Sequence, residues 1–360
     1  MVKRKMIVFL LVVTLVMVSV VGCSSQTEKV NKLNLQELYA SVSDEKVVLD
    51  IKDIIDTKAK KEYTIGVAMN TVSTPFFKAL ADSIQASLKE AGAKPLLAVC
   101  DEDASKQVSQ IENFITQGVD AIIIKPADPA ETLSIALDKA YQANIPVIAV
   151  DAPPAEDAKY LCAFITDAYD LGFIVGEEIA KQLLEANPTG EIEYGIIGAI
   201  DGNTIATIRN MASRDGIASV DAEGRIKEVA YLFSGGFSEE GGLQTAENML
   251  VAHPNLKAII GTCDAHVIGA TAAAERQGKA DQIIMGAIDG SKTAMEIMMN
   301  GGPIKALAWN SPQEVGRAGA TATIRLLNGD EVPASKTMVI KAVLITPENV
   351  KDIYDPNSAF

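Results

Sequence analysis

Histidine is nearly absent from this chain of 360 residues, which has only His253 and His266. Cysteine is scarce too, four in all, and neither a C-x-x-C pair nor any Cys/His spacing of a zinc site occurs, so no metal centre is expected. No G-x-G-x-x-G opens a helix after a strand-like run and there is no Walker A run, which removes the usual signatures of nucleotide cofactors; no cofactor is expected. Basic residues are the minority charge, 32 against 47 acidic, for a net charge of −15. Such a surface repels phosphate backbones and argues against a nucleic-acid partner. No nucleophile is patterned with a base, so binding is expected rather than catalysis.

What is present begins with an export signal. Lys3, Arg4 and Lys5 precede an apolar run over 6–21, short for a membrane span of ~20 residues, and a small-residue site follows. The run ends Val20-Val21-Gly22-Cys23-Ser24-Ser25. That stretch resembles a bacterial lipobox, which implies that Cys23 is acylated and becomes the mature N-terminus; Val20 departs from the pattern, where Leu is commoner. An uncleaved anchor helix is the alternative, and both place the body outside the cytoplasm. Without residues 1–22, which carry three positive charges and no negative one, the net charge is −18. Residues 23–62 are polar and weakly periodic and are read as a spacer, either with short helical pieces or simply disordered. Cys100, Cys162 and Cys263 remain, an odd number, so at most one disulfide can form. Cys100 and Cys162 lie in strand-like runs and read as small packing residues.

From residue 63 the pattern becomes regular. Apolar runs over 63–69, 95–99, 120–124, 146–150, 160–165, 191–197, 226–233, 257–261, 282–287 and 304–309 read as buried strands. Amphipathic segments separate most of them, such as Phe77, Leu80, Ile84 and Leu88 behind a Thr74 N-cap and Pro75 at N1. Continuously apolar strands alternating with such helices predict parallel sheets covered on both faces, and there are too many units for one sheet. The expected class is α/β with two doubly wound parallel-sheet lobes. In such folds ligands bind beyond the carboxyl ends of the strands, where this chain places Asp, Asn, Thr and aromatic residues. A carboxylate accepts from two neighbouring hydroxyls, amides complete the pattern, and aromatic faces pack on sugar C–H groups. The set therefore suits a polyhydroxylated ligand.

The segment Asn70-Thr71-Val72-Ser73-Thr74-Pro75-Phe76-Phe77 resembles the first motif of periplasmic sugar-binding proteins of the ribose/galactose type. In order and spacing it is followed by Ile122-Ile123-Ile124-Lys125-Pro126-Ala127-Asp128, Ile145-Pro146-Val147-Ile148-Ala149-Val150-Asp151, Ala252-His253-Pro254 leading to Cys263-Asp264, Gly286-Ala287-Ile288-Asp289-Gly290 and Trp309-Asn310-Ser311-Pro312. The resemblance covers roughly 63–350. It implies a type I periplasmic-binding-protein fold with three crossovers, a lobe of 63–166 plus 311–338 and a second of 167–310 plus 339–360. It also implies that Asn70 and Thr74 offer hydrogen bonds, Phe76 and Phe77 stack, and Asp151 and Asp289 hold hydroxyls. Phe237 adds an aromatic from the second lobe and Asn310 an amide at the last crossover. Two positions depart from ribose binders, Ala152 where they carry Arg and Cys263 where they carry Asn. The cleft arginine is Arg209 or Arg214, with Arg209 favoured.

Other readings of these residues stay open. Phe77 continues an apolar helix face and can be core. Asp264 reads more readily as an N-cap than as a contact, and Asp289 can also cap. Cys263 can form a small cleft wall. Trp309 can stack on ligand or brace the hinge, and His266 reads as surface or cleft rim. The expectation is a monomeric lipoprotein that captures a monosaccharide or polyol and delivers it to a membrane ABC permease. The alternative is a subunit sensing a sugar, nucleoside or signalling molecule for a histidine kinase or chemoreceptor.

Overall fold

Ile122, Ile123 and Ile124 follow one another without a polar break, and a strand built from them needs two covered faces. All three are fully buried, and each such side chain contributes roughly 1.5–3 kcal/mol on leaving water. The computed structural model describes residues 33–360 apart from 128–129, 331–332, 334 and 359. The signal-like run and Cys23 lie outside the described residues. The described strands are β1 (Val47–Leu49), β2 (Thr64–Met69), β3 (Lys94–Val99), β4 (Ala121–Ile124), β5 (Val147–Val150), β6 (Cys162–Thr166), β7 (Ile192–Gly198), β8 (Ile226–Phe233), β9 (Ala258–Gly261), β10 (Ile284–Asp289), β11 (Ile304–Trp309), β12 (Thr337–Ile340) and β13 (Val343–Ile345). The helices are α1 (Leu35–Ser41), α2 (Pro75–Ala91), α3 (Ala104–Gln117), α4 (Ser134–Gln142), α5 (Ala168–Ala186), α6 (Thr204–Val220), α7 (Glu239–Ala252), α8 (Asp264–Arg276), α9 (Lys292–Met299), α10 (Pro312–Leu327) and α11 (Val350–Ile353).

Two sheets result. The first has the order β1-β12-β6-β5-β4-β2-β3, and the second β13-β11-β10-β9-β7-β8. Every ladder is parallel except that of β13 on β11. Helices α2 and α10 cover one face of the first sheet, and α3 with α4 the other. The second sheet lies between α7, α8 and α9 on one face and α5 with α6 on the other. The chain passes from the first sheet to the second after β6, returns after β11, and leaves again after β12. This is the doubly wound two-lobe α/β architecture with three crossovers. The winding direction reverses between β2 and β4 in the first sheet and between β7 and β9 in the second, the places where open sheets make a crevice.

Local chemistry sets the helix starts beside those crevices. Thr74 accepts from the Phe77 N–H at 3.3 Å, Pro75 follows at the first position, and α2 stops at Gly92 with a left-handed φ of 89°. Asn203 caps α6 through the Ala206 N–H at 2.9 Å. Ser311 caps α10 through the Glu314 N–H at 3.2 Å, with Pro312 behind it.

Two parts of the fold differ from the sequence expectation. Residues 33–62, read as a spacer, pack on the first sheet. There β1 pairs with β12, Leu35 is buried, and Tyr39 meets Tyr141 edge-to-face at 5.2 Å. The Arg317 guanidinium donates to the Ile51 and Ile54 carbonyls, and Lys46 Nζ lies 2.7 Å from Asp167 Oδ2. The polar composition conceals this because β1 is three residues long and its partner strand is distant in sequence. Second, β12 pairs with β6, so the third crossing falls after Ile340 rather than at 338/339.

Candidate functional site

The first sheet brings five elements to one end. Asn70 directly follows β2 and is buried, with Nδ2 donating to Glu102 Oε1 at 2.9 Å and Oδ1 without a partner in the protein. Thr74 is exposed, and its hydroxyl oxygen is engaged in capping α2. Phe76 and Phe77 stand edge-to-face at 5.4 Å, both half-buried. Phe77 packs on the first core while Phe76 meets Phe360 at 5.4 Å, so the adjacent rings have different surroundings. Asp151 directly follows β5 in a left-handed conformation, φ 67°, which Asp tolerates better than most residues. Lys125 emerges from β4. Its Nζ lies 3.6 Å from Asp151 Oδ2, donates to the Pro126 carbonyl at 3.2 Å and sits 5.3 Å from the Phe77 ring centre. A cation therefore stands beside Asp151 although Ala152 supplies none.

The second sheet gathers a matching group. Arg209 on α6 is buried. Its Nη1 donates to the Thr262 carbonyl at 3.1 Å, its Nη2 to Asp289 Oδ1 at 3.3 Å, and its Nε has no protein partner. Arg214 points elsewhere, gripping Glu228 at 2.7 and 2.9 Å beneath the Tyr231 ring. Asp289 ends β10 at φ 122°, a strained backbone for a residue with a side chain. It also accepts from Asn310 Nδ2 at 3.1 Å, and Asn310 Oδ1 accepts from Thr166 Oγ1 at 2.5 Å. Asn310 thus ties the ends of β6 and β10 across the sheets. Trp309 packs on the second core and lines a cavity of about 450 Å³ together with Ser83, Lys292 and Tyr354.

Three readings of the sequence need correction. Asp264 is not an N-cap: Cys263 holds that position, with φ −146° and ψ 166°. Asp264 opens α8, accepts from the Ser291 N–H, and leaves Oδ1 unpartnered and buried. Asp289 is not a cap either, because Ser291 takes that place for α9. His266 is neither surface nor rim. It is fully buried, with Nε2 2.9 Å from Ser234 Oγ and 2.8 Å from the Gly236 carbonyl, and Nδ1 3.2 Å from the Ile197 carbonyl. The exposed ring of Phe237 stacks on it at 6.3 Å and 12°, so His266 fixes the loop that presents Phe237. Burial holds its pKa below the usual histidine value.

Burial dominates the electrostatics. It raises the carboxyl of Asp151 against the pull of Lys125 and Arg209. It raises Asp289 against Arg209 and the Asn310 hydrogen bond. Asp264 is raised well above the carboxylate range by burial and by the neighbouring Asp289 charge. The Cys263 thiol is pushed up to about 12 by burial and by Asp289, which makes it a wall atom rather than a nucleophile. Cys100 and Cys162 are likewise buried free thiols. Among the described residues, the buried side-chain atoms without a protein partner are Asn70 Oδ1, Gln110 Oε1, Arg209 Nε, Asp264 Oδ1 and Ser291 Oγ. Four of those five belong to this group, and native interiors seldom leave such atoms unpaired. No cluster of His, Cys, Asp and Glu able to hold a metal occurs among the described residues. Glu102 and Thr166 escaped the sequence reading of the site, while Lys125 was read only as a strand-end residue and His266 as surface or cleft rim.

Comparison with known proteins agrees with this architecture. The chain is 30% identical over 282 residues to "Ribose import binding protein RbsB" of Bacillus subtilis (strain 168), covering 78% of this chain and 87% of that one. It is 25% identical over 289 residues to a "D-apiose import binding protein" of Actinobacillus succinogenes, covering 80% and 90%. A solved ABC transporter periplasmic solute-binding protein from Actinobacillus succinogenes with bound D-allose superposes with a TM-score of 0.70 at 23% identity, covering 81% of this chain and 99% of that one; it speaks for the fold. A family profile described as "Periplasmic binding protein domain" matches residues 65–331. With that match spanning most of the chain, and both lobes built as above, the protein belongs to the periplasmic binding protein domain family.

Proposed function

We propose that this chain is an extracytoplasmic solute-binding lipoprotein that captures a monosaccharide or sugar-like polyol between its two lobes, as a monomer, and delivers it to an ABC permease. Lipid on Cys23 holds it at the membrane, with more than one acyl chain needed for stable attachment. The observation that carries the reading is that Asp151 and Asp289, each beside a cation, stand at strand ends of two different sheets. Asn70, Thr74 and the Phe76–Phe77 pair belong to the same end of the first sheet. Phe237, Cys263, Asp264 and the Asn310–Trp309 crossing belong to the second. Carboxylates accept from sugar hydroxyls, the unpartnered amide, guanidinium and hydroxyl groups supply further donors and acceptors, and the rings cover C–H faces. Hinge closure of the lobes would desolvate the ligand. The relatives above are named for import, which favours transport over sensing.

Thermal-shift measurements with D-ribose, D-apiose, D-allose and myo-inositol test this. A ligand at a hundred times Kd stabilises the fold by about 2.7 kcal/mol, and a micromolar Kd corresponds to roughly −8 kcal/mol. Asp151→Ala should abolish the shift while the ligand-free melting curve stays cooperative. A flat response to every sugar and polyol, beside a shift for a nucleoside, would sink the sugar assignment. Retained affinity in Asp151→Ala would sink the cleft assignment. For the anchor, Cys23→Ser should move the protein from the membrane pellet to the soluble fraction; an unchanged pellet speaks against lipidation.

A further inference from the structure

The four charged groups alternate in sign across the two sheets. Lys125 lies at 3.6 Å from Asp151, and Arg209 at 3.3 Å from Asp289. Asp151 in turn feels the Arg209 charge and Asp289 feels Asp151, so the two pairs act as one cluster. Their side chains are 12% and 19% exposed in the first pair and 9% and 17% in the second, which leaves little solvent to screen them. The other carboxyl at this end of the second sheet is Asp264, on α8. It is buried beside Asp289, and burial and the Asp289 charge raise its carboxyl well above the usual carboxylate range. Two cations are therefore paired with Asp151 and Asp289, while Glu102, bonded to Asn70 at the end of the first sheet, is exposed and screened by solvent. Lys125 is held in place by the Pro126 carbonyl and the Phe77 face, so it does not swing out to solvent as surface lysines do.

We propose that Lys125 is the charge-selectivity residue of this cleft: by balancing Asp151 it makes the site choose an uncharged polyhydroxylated ligand over the corresponding amino sugar. This rests on the sugar-binding reading above and deepens it. An ammonium group brought into the balanced cluster gains no net counter-charge and loses its hydration. With Lys125 removed, the cluster carries one uncompensated carboxylate, and the ammonium supplies the missing charge. Lys125 thus acts through Asp151.

The test is isothermal titration of the wild type, Lys125→Met and Lys125→Arg with D-galactose and D-galactosamine, D-glucose and D-glucosamine, and D-allose and D-allosamine. For the pair that binds, the ratio of amino to neutral Kd should fall at least tenfold in Lys125→Met and stay within about threefold of wild type in Lys125→Arg. A ratio unchanged in Lys125→Met overturns the proposal. A second measurement needs no ligand: the Asp151 carboxyl is followed by carbon NMR in the free protein. Its protonated form is favoured by burial and opposed by Lys125 and Arg209, so Lys125→Met should move its titration to higher pH and Lys125→Arg should not. An unmoved titration overturns the charge balance even if no sugar of the panel binds. A moved titration together with a flat wild-type response both to these hexoses and to D-ribose, D-apiose and myo-inositol supports the charge balance and sinks the sugar reading alone.

Discussion

Three aspartates share the same physical predicament: Asp151, Asp264 and Asp289 are packed where water cannot solvate a charge, and each carboxyl is raised. For a group with a raised pKa in the folded state, the stabilisation is full below the ordinary carboxylate range and is lost as pH rises through the raised value. Among the described residues Asp264 has no cation within bonding distance, and it should lose most. Asp264→Asn keeps an oxygen for the Ser291 N–H and removes the titration, so its melting temperature should exceed wild type at pH 7, by on the order of 2 °C per kcal/mol relieved, and the gain should shrink at pH 4. Scanning calorimetry at the two pH values checks this; a gain that is larger at pH 4 contradicts it. At this scale the sequence located the carboxylates, because each of these aspartates follows or ends a strand whose apolar run is unmistakable, but it read Asp264 as a cap rather than as a buried carboxyl. It was a poor guide to His266, which sits in the first turn of a helix between Ala265 and Val267 with no local sign of its polar partners. What buries it comes from Ile197 and Gly236, remote in the chain. Lys125 was visible as a strand-end residue, but its pairing with Asp151 depends on β4 and β5 lying side by side.

At the scale of elements, the crossing of α5 and α6 decides where Arg209 stands. Gly172 and Gly176 on α5 and Gly216 on α6 lie against backbone of the opposite helix, and a Cβ at Gly172 would run into the Arg209 carbonyl. Gly172→Ala must push α6 outward and take Arg209 away from Asp289. Denaturant unfolding should register a loss of roughly 1–3 kcal/mol, the usual cost of overpacking, and Kd for the sugar found in the panel should rise at least tenfold. If Kd holds, Arg209 is not positioned by this contact. All ten strands read from the sequence are present, at most two residues displaced at either end. Those not read, β1, β12 and β13, are three to four residues long, too short for a period to declare itself. Their pairing partners, not their composition, make them strands.

Across the whole molecule, the lobes are joined by more than the three crossings. The segment 354–358 is rooted on α9, where Tyr354 donates to Glu296 Oε1 at 2.7 Å and Lys292 donates to the Pro356 carbonyl at 2.5 Å. It reaches the helices of the first sheet through Gln313 Nε2, which donates to Ser358 Oγ at 2.8 Å, and Phe360 lies against Phe76. Removing residues 355–360 should widen the spread of distances between spin labels on Thr132→Cys and Asp201→Cys in the ligand-free protein. The three native thiols of the folded body are buried and will not compete for label. An unchanged distribution would show that this segment restrains nothing. The opposite end of the described chain has a mechanical consequence. Because β1 is stitched onto β12 and Arg317 grips the backbone at Ile51 and Ile54, a pull arriving at residue 33 falls mainly on the first sheet, with the Lys46–Asp167 ion pair a lesser link to α5. The second sheet carries little of that load. A tethered molecule would therefore have a stationary half and a swinging half, and a partner that waits for closure need only track the swinging one.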